Sequence, residues 1–105
     1  MAFVMFQYDR PTDTRHWAEY NRQVRDWIGE LLVIPGALSF MAYRTADGAS
    51  PNTLTLLEFR SLAEARDATT SAQMKSVLQS LRAVGAYPTV LLLERSPFTP
   101  EPIPV

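Results

Sequence analysis

Four short apolar runs alternate with two longer segments of mixed polarity along this chain. The runs are rich in aliphatic and aromatic side chains, lie near turn-forming proline, glycine or asparagine residues, and cover residues 3–8, 37–44, 53–59 and 89–94. Runs of this length and composition predict β-strands. The second and third runs are separated only by a polar segment around Asp47-Gly48 and Pro51-Asn52, which predicts a hairpin with a long loop.

The two longer segments predict helices. In the first segment apolar side chains recur every three or four residues, at Trp17, Tyr20, Val24, Trp27, Ile28 and Leu31. Residues 12–14 offer N-cap oxygens before this helix, and Pro35-Gly36 ends it. In the second segment Ser61 and Thr70 each precede a Glu or Gln by three residues, which is the spacing of a capping box. This predicts two successive helical pieces, the second of which ends near Gly85.

The resulting order of elements is the βαββαβ pattern of a ferredoxin-like α+β sandwich, in which a four-stranded antiparallel sheet carries two helices on one face. The other face of such a sheet should be polar, but residues 54–57 and 90–93 are apolar at almost every position. We therefore expect both faces to be buried. Two helices cover only one face, so the second face needs the sheet of another copy, which predicts a homodimer.

Composition limits the chain to one domain. It has 105 residues, of which 47% are hydrophobic and 20% charged, values typical of a single globular domain. We assign residues 1–96 to the ferredoxin-fold domain. The four prolines in residues 97–105 rule out regular structure there and predict an extended tail.

Charge and residue usage exclude several classes of function. Ten basic and eleven acidic residues give a net charge of −1, with no basic run to hold nucleic acid or an anionic membrane. The chain has no cysteine and a single histidine, His16, so disulfides, zinc sites and a cysteine nucleophile are excluded. The apolar start reaches Asp9 and Arg10 at once, without a basic region before it, so we expect neither a signal peptide nor a membrane span, but a cytoplasmic protein.

A set of short motifs resembles the antibiotic biosynthesis monooxygenase family. The matching segments are Pro35 to Phe40, Tyr43-Arg44, Asp47, Leu57 to Ser61, and Ser71 to Met74. The resemblance covers residues 3–95 in element order and implies a homodimer whose two sheets close into a dimeric α+β barrel, with a pocket in each subunit between sheet and helices. Members of that family include cofactor-free oxygenases of phenolic polyketides and haem-degrading enzymes.

The chain also departs from the family pattern. Phe59 stands where the family usually has tryptophan, and a histidine often found in the second helix falls at Ala68. The axial histidine of haem-degrading members corresponds to Leu78 here. We therefore expect no haem, no other cofactor and no metal, which leaves a pocket that works without them.

Four residues are candidates for catalysis. Histidine ionises near neutral pH, so His16, at the start of the first predicted helix, is the candidate base for a phenolic proton. Tyr20 and Tyr43 could orient a polar ligand through their hydroxyls. Arg44, at the end of the second predicted strand, could hold a carboxylate or phenolate. The structural alternatives are an exposed histidine, core tyrosines and a surface ion pair of Arg44 with Asp47 or Glu58.

Four more residues are candidates for binding the substrate. Trp17 could stack on a flat ring, Phe59 could form an apolar wall, and Ala68 leaves space between the second helix and the sheet. Gln7 interrupts an apolar strand, so its amide either bonds to a neighbouring backbone or faces the pocket. Core packing of the aromatic residues and close helix packing at Ala68 are the structural alternatives.

No phosphate-binding glycine loop, hydrolase triad or metal-ligand spacing appears. The sequence therefore favours a cofactor-independent monooxygenase acting on a small, flat, phenolic metabolite, although whether it is an enzyme stays open. Two alternatives remain. One is a non-catalytic dimeric barrel that binds a metabolite or serves as an accessory subunit, and the other is an isomerase or cyclase on the same fold.

Overall fold

Seven elements form in the predicted order in a computed structural model that describes residues 1–105. The strands are β1 (Ala2–Tyr8), β2 (Ala37–Arg44), β3 (Thr53–Phe59) and β4 (Thr89–Glu94), and the helices are α1 (Thr14–Leu32), α2 (Leu62–Ala68) and α3 (Ala72–Ala83). The sheet is antiparallel with strand order β2-β3-β1-β4. This confirms the ferredoxin-like α+β fold, with the second predicted helix divided into α2 and α3.

Side-chain caps set the helix starts. Asp13 accepts a hydrogen bond from the His16 backbone N–H at 3.0 Å and begins α1, and Ser61 caps α2 by accepting from the Glu64 N–H at 3.2 Å. The cap of α3 is Ser71, whose hydroxyl accepts from the Met74 N–H at 3.1 Å. The prediction of a cap at Thr70 was therefore wrong by one residue, because the Thr70 hydroxyl donates instead to the carbonyl of Asp67.

The hydrophobic core lies between the helices and one face of the sheet, which we call the inner face. Alternate residues of β1 and β3 point into it, as the strictly alternating burial of both strands shows. They pack against apolar side chains of all three helices, and the core members include Val4, Phe6, Leu57, Phe59, Tyr20, Trp27, Leu31, Ala65, Met74, Val77 and Leu81. A single chain thus buries one face of its sheet.

The opposite face, which we call the outer face, has no helix over it. Its central residues come from β1 and β3, where the register places Met5 beside Leu56 and Phe3 beside Glu58. Towards the β2 edge, Met41 and Tyr43 are 54% and 55% exposed. The apolar surface of this face, which led to the prediction of a homodimer, is therefore not covered within one chain.

Residues 97–105 contain no helix or strand, and the side chains of Phe98 and Ile103 are exposed. Arg95 holds the start of this segment, because its Nη1 donates to the Pro100 carbonyl at 2.6 Å and lies 3.2 Å from the Glu101 carboxylate. None of the three helices has both the length and the apolar character that crossing a bilayer requires.

Candidate functional site

A pair of tyrosines lies where the end of β1 faces α1. The hydroxyls of Tyr8 and Tyr20 are 2.6 Å apart and buried, and either can be the donor. Burial raises the pKa of both phenols, and the hydrogen bond from Tyr20 raises that of Tyr8 further, while the nearby Arg10 charge acts in the opposite direction on both. Both groups are therefore neutral at physiological pH and can donate a hydrogen bond, but neither can act as a base.

Aromatic contacts fix the ring of Tyr20. Trp17 stacks on it with ring centroids 5.9 Å apart and an interplanar angle of 11°. Trp27 meets it edge-on at 5.5 Å, and Tyr8 does so at 6.2 Å. Offset and edge-to-face pairs of this kind are favourable arrangements for aromatic rings. Trp17 remains 40% exposed, so part of its indole is open to solvent.

Beneath Tyr20 lies an apolar cavity of about 70 Å³ between α1, α3 and the inner face of the sheet. Its walls are mostly hydrophobic and include Phe6, Trp27, Phe40, Val77 and Leu81. Since a cavity that holds benzene has a volume of about 150 Å³, this space accepts only part of an aromatic ligand. A flat metabolite would have to extend beyond it.

An open groove of about 400 Å³ lies at the surface next to this cavity. Tyr20, Ala42 and Thr53 line both spaces. The groove adds Arg10 and Arg44, and its remaining lining residues are Trp17, Asn21 and Tyr43. An apolar pocket with a few polar groups at its entrance is the usual form of a small-molecule site.

The two arginines in the groove have no acidic partner. Arg10 lies 5.9 Å over the Trp17 ring, and its Nε is 3.5 Å from Oδ1 of Asn52, which also accepts from the Arg10 backbone N–H at 3.0 Å. The ion pairs of the structure involve other residues, so no carboxylate lies within 4.0 Å of either guanidinium. The nearest acidic group along the chain, Asp9, instead accepts from the Asn52 N–H at 2.9 Å, so neither guanidinium has a carboxylate in direct contact.

Four of the eight candidate residues meet at this groove. Trp17, Tyr20, Tyr43 and Arg44 all line it. Arg44 pairs with Thr53, whose side chain is buried on the inner face. Tyr43 lies one position earlier, opposite Leu54, so its side chain belongs to the outer face and reaches the groove only along the edge strand.

The other four candidates lie elsewhere. His16 is on the opposite flank of α1, where its Nδ1 is 2.8 Å from Oδ2 of Asp13 and its ring lies against Gly85. Gln7 is on the outer face, and its amide contacts the sulfur of Met5 at 3.8 Å. These two residues line neither the cavity nor the groove.

Phe59 and Ala68 are buried in the core at 0% and 2% exposure and also line neither space. Phe59 pairs with Ala2 and Ala37. It lies six positions after Thr53 in β3, which places it about 20 Å along the strand from the groove. Ala68 is part of the same core and lets α2 pack closely on the sheet.

Sequence reasoning missed Arg10, which it read only as the end of the first strand. A topological signal could have found it. Because β1 and β2 both run antiparallel to β3, their carboxyl ends lie at the same end of the sheet. The register places Tyr8 and Arg44 on either side of Thr53, and Arg10 follows two residues after Tyr8.

No group of three or more acidic, histidine or cysteine side chains is arranged to hold a metal.

The chain is similar in structure to several solved proteins, although no family model and no curated protein matches its sequence. One, from Deinococcus radiodurans, is provisionally named an antibiotic biosynthesis monooxygenase, and it aligns with a TM-score of 0.72 at 10% identity over 100% of this chain and 98% of its own. SnoaB, a cofactor-independent oxygenase from Streptomyces nogalater, aligns with a TM-score of 0.68 at 15% identity, covering 95% and 97% of the two chains.

A protein of the ethyl tert-butyl ether degradation (EthD) family from Bacillus halodurans aligns with a TM-score of 0.70 at 16% identity, over 91% of this chain and 99% of that one. Coverage close to complete on both sides means that the whole fold is shared. The resemblance to antibiotic biosynthesis monooxygenases is thus confirmed in the architecture, and identities this low carry the comparison no further than the fold.

Proposed function

We propose that this chain binds a small, flat, phenolic metabolite in the groove and oxidises it with O₂ without a bound cofactor. The observation that carries this proposal is the pair of unpaired guanidinium groups, Arg10 and Arg44, beside the stacked Trp17 and Tyr20. An aromatic ligand can lie against the exposed part of the Trp17 indole and place its oxygen near the arginines. Its apolar edge can enter the cavity below Tyr20.

Positive charge at the groove favours ionisation of a bound phenol, because a nearby cation stabilises the charged form. The phenolate is electron-rich and can reduce O₂ directly. In the overall reaction the substrate loses two hydrogens and gains one oxygen atom, and the second oxygen atom leaves as water with those hydrogens. The electrons come from the substrate, so the chemistry requires no external reductant.

The residues around the substrate would act by electrostatics and positioning. The Tyr8–Tyr20 pair uses one O–H for its internal hydrogen bond, which leaves the other to donate to a substrate oxygen. His16 lines neither space, so the proposal assigns the phenolic proton to water at the open groove and not to a side chain. Stabilisation of a developing anion by fixed donors is a large contribution in many enzymes.

Oxygen consumption with a panel of hydroquinones and polycyclic phenols tests the proposal. We expect uptake with at least one of them, and kcat/KM should fall by about tenfold or more in Arg44→Gln, as the loss of a charge-assisted hydrogen bond implies. Arg82→Gln, at an exposed arginine in the last turn of α3, is the matched control. His16→Ala distinguishes water from His16 as the acceptor of the phenolic proton. Loss of turnover in this variant would identify His16 as the base. Absence of uptake with every compound would contradict the oxygenase.

The second candidate is a non-catalytic protein that binds a metabolite in the same groove. The placement of His16 favours it, because no histidine or carboxylate lines the cavity or the groove. Binding of aromatic ligands without oxygen uptake or any other conversion would support this function. A shared groove means that the Arg44 variant weakens binding of an anionic ligand in both cases.

We further propose that the working unit is a homodimer. The support is the outer face, on which Phe3, Met5, Leu54, Leu56 and Leu93 are only partly buried. Burying apolar surface of this kind contributes about 25 cal/mol per Å², which favours association with a second apolar sheet. The same apolar face of a second copy can pack against it, and the two copies would then be related by a two-fold axis.

A further inference from the structure

We infer that the groove is built for a hydroxylated aromatic acid, that is, a phenolic ligand with a carboxylate, which Arg10 and Arg44 hold together. This inference rests on the proposed function, since it specifies the ligand of the same groove.

Two guanidinium groups line one groove, and no carboxylate of the chain lies within 4.0 Å of either. A simple phenol offers one negative charge after ionisation and would leave one arginine without a partner. A hydroxylated aromatic acid offers two charges, which matches the site. A guanidinium also accommodates a carboxylate through two parallel hydrogen bonds, a geometry that a phenolate oxygen lacks.

The positions of the arginines support the same ligand. Asn52 engages Arg10 through its Nε, and the Arg10 guanidinium lies over the Trp17 ring. Both Nη groups are left without an acceptor in the chain. Arg44 enters from β2, on the other side of Thr53 from Tyr8. A ligand ring that lies against the exposed part of Trp17 therefore has one cation over that indole and a second one across the groove.

The position of the cavity sets the orientation of the ligand. Tyr20, Ala42 and Thr53 line both the cavity and the groove, so the two spaces are neighbours. The cavity walls are apolar and exclude charge. The unsubstituted edge of the ring would lie towards the cavity, and the two oxygen substituents would lie towards the arginines.

Anaerobic calorimetry with naphthol, naphthoate and hydroxynaphthoate tests this inference. We expect naphthoate to bind at least about tenfold more tightly than naphthol, and hydroxynaphthoate more tightly than either. The preference should shrink as salt is raised, because exposed charges are screened. Arg10→Gln and Arg44→Gln should each lower naphthoate affinity by about tenfold and leave naphthol affinity within about threefold. Arg82→Gln should change neither.

Arg10→Lys keeps the charge without the planar fork and should restore part of the naphthoate affinity lost in Arg10→Gln. This variant also separates ligand binding from a structural role of the contacts with Asn52 and Trp17. Equal affinity of naphthol and naphthoate for the unmodified protein would overturn the inference, as would a carboxylate preference that persists in the Arg10→Gln Arg44→Gln double variant. Because binding is measured without O₂, its result is independent of turnover. If the protein prefers the carboxylate but consumes no oxygen, the two-arginine site stands and the oxygenase proposal is rejected. If it consumes oxygen but shows no carboxylate preference, the oxygenase proposal stands and the two-arginine site is rejected.

Discussion

Tyr8 and Tyr20 depend on each other for a polar partner. Their hydroxyls lie 2.6 Å apart among aromatic rings, and no other hydrogen bond involves either of them. A buried hydroxyl without a partner costs about 1–3 kcal/mol. The pair is therefore a stable neutral unit, and the same burial that makes it a good hydrogen-bond donor keeps both phenols from ionising.

Alkaline pH should destabilise the protein through this pair. The pKa of each phenol is raised in the folded state, so folded tyrosines stay protonated while unfolded ones ionise above about pH 10. Above about pH 10 the unfolded state then binds fewer protons, and the free energy of unfolding falls as pH rises, by at most about 1.4 kcal/mol per pH unit for a tyrosine that stays protonated in the folded state. Urea denaturation at several values between about pH 8 and pH 11 measures this slope.

The double variant Tyr8→Phe Tyr20→Phe should remove most of that extra alkaline slope. Tyr87→Phe, at a tyrosine that is 70% exposed, is the control and should leave the slope as it is. Ultraviolet absorbance of tyrosinate gives a second readout, since Tyr8 and Tyr20 should ionise only as the protein unfolds. An unchanged slope in the double variant would show that other groups cause the alkaline instability.

Among the elements, the start of α3 depends on a single side chain. The Ser71 hydroxyl accepts from the Met74 N–H, and Met74 itself is fully buried in the core. Replacing an N-cap serine by alanine costs about 1 kcal/mol. Ser71→Ala should therefore lower the midpoint of thermal unfolding by about 4–8 °C, and Thr70→Ala by much less.

Differential scanning calorimetry of the two variants measures this difference. The comparison is sharp because the residues are neighbours with similar hydroxyl groups, and Thr70 bonds only to the Asp67 carbonyl at the end of α2. An equal loss of stability in both variants would mean that the turn between α2 and α3, and not the cap, carries the energy.

The strands could be predicted from sequence to the residue at β2, β3 and β4, because turn residues such as Pro35-Gly36 and Pro51-Asn52 lie directly beside them. The cap of α3 could not, since Thr70 and Ser71 both have suitable side chains and only the backbone geometry selects Ser71. Local pattern is sufficient where one residue type dictates the backbone. It is insufficient where neighbours can exchange roles.

Half of the candidate residues could be placed at the site from sequence alone, for a similar reason. Trp17, Tyr20 and Arg44 follow from helical period and strand ends, which are local features. Arg10 belongs to the site only because the carboxyl ends of β1 and β2 lie at the same end of the sheet. Phe59 lies at the other end of that sheet, a distance that depends on register and not on residue type. Bringing residues together from different elements requires the register of the sheet.

At the scale of the whole molecule, the sheet has one covered face and one uncovered face. The inner positions of β1 are buried, whereas its outer positions are intermediate. Contiguous apolar surface of this kind on a monomer usually marks an interface. The groove opens between α1 and the β2 edge, and Tyr43, which lines it, belongs to the outer face, so association through that face would bring the partner close to the groove entrance.

Leu56 lies near the middle of the outer face, between Met5 and Met41, and gives the most direct test of the dimer. We expect the unmodified chain to be a dimer at micromolar concentration by light scattering, and Leu56→Lys to shift it to a monomer, because each lysine would be buried without a partner. Met41→Lys, at an edge position that is 54% exposed, should weaken the dimer with less risk to the fold. Gln79→Lys adds the same charge on the exposed surface of α3 and should leave the dimer intact. A monomeric unmodified chain, or a Leu56→Lys variant that remains a folded dimer, would reject association through the outer face.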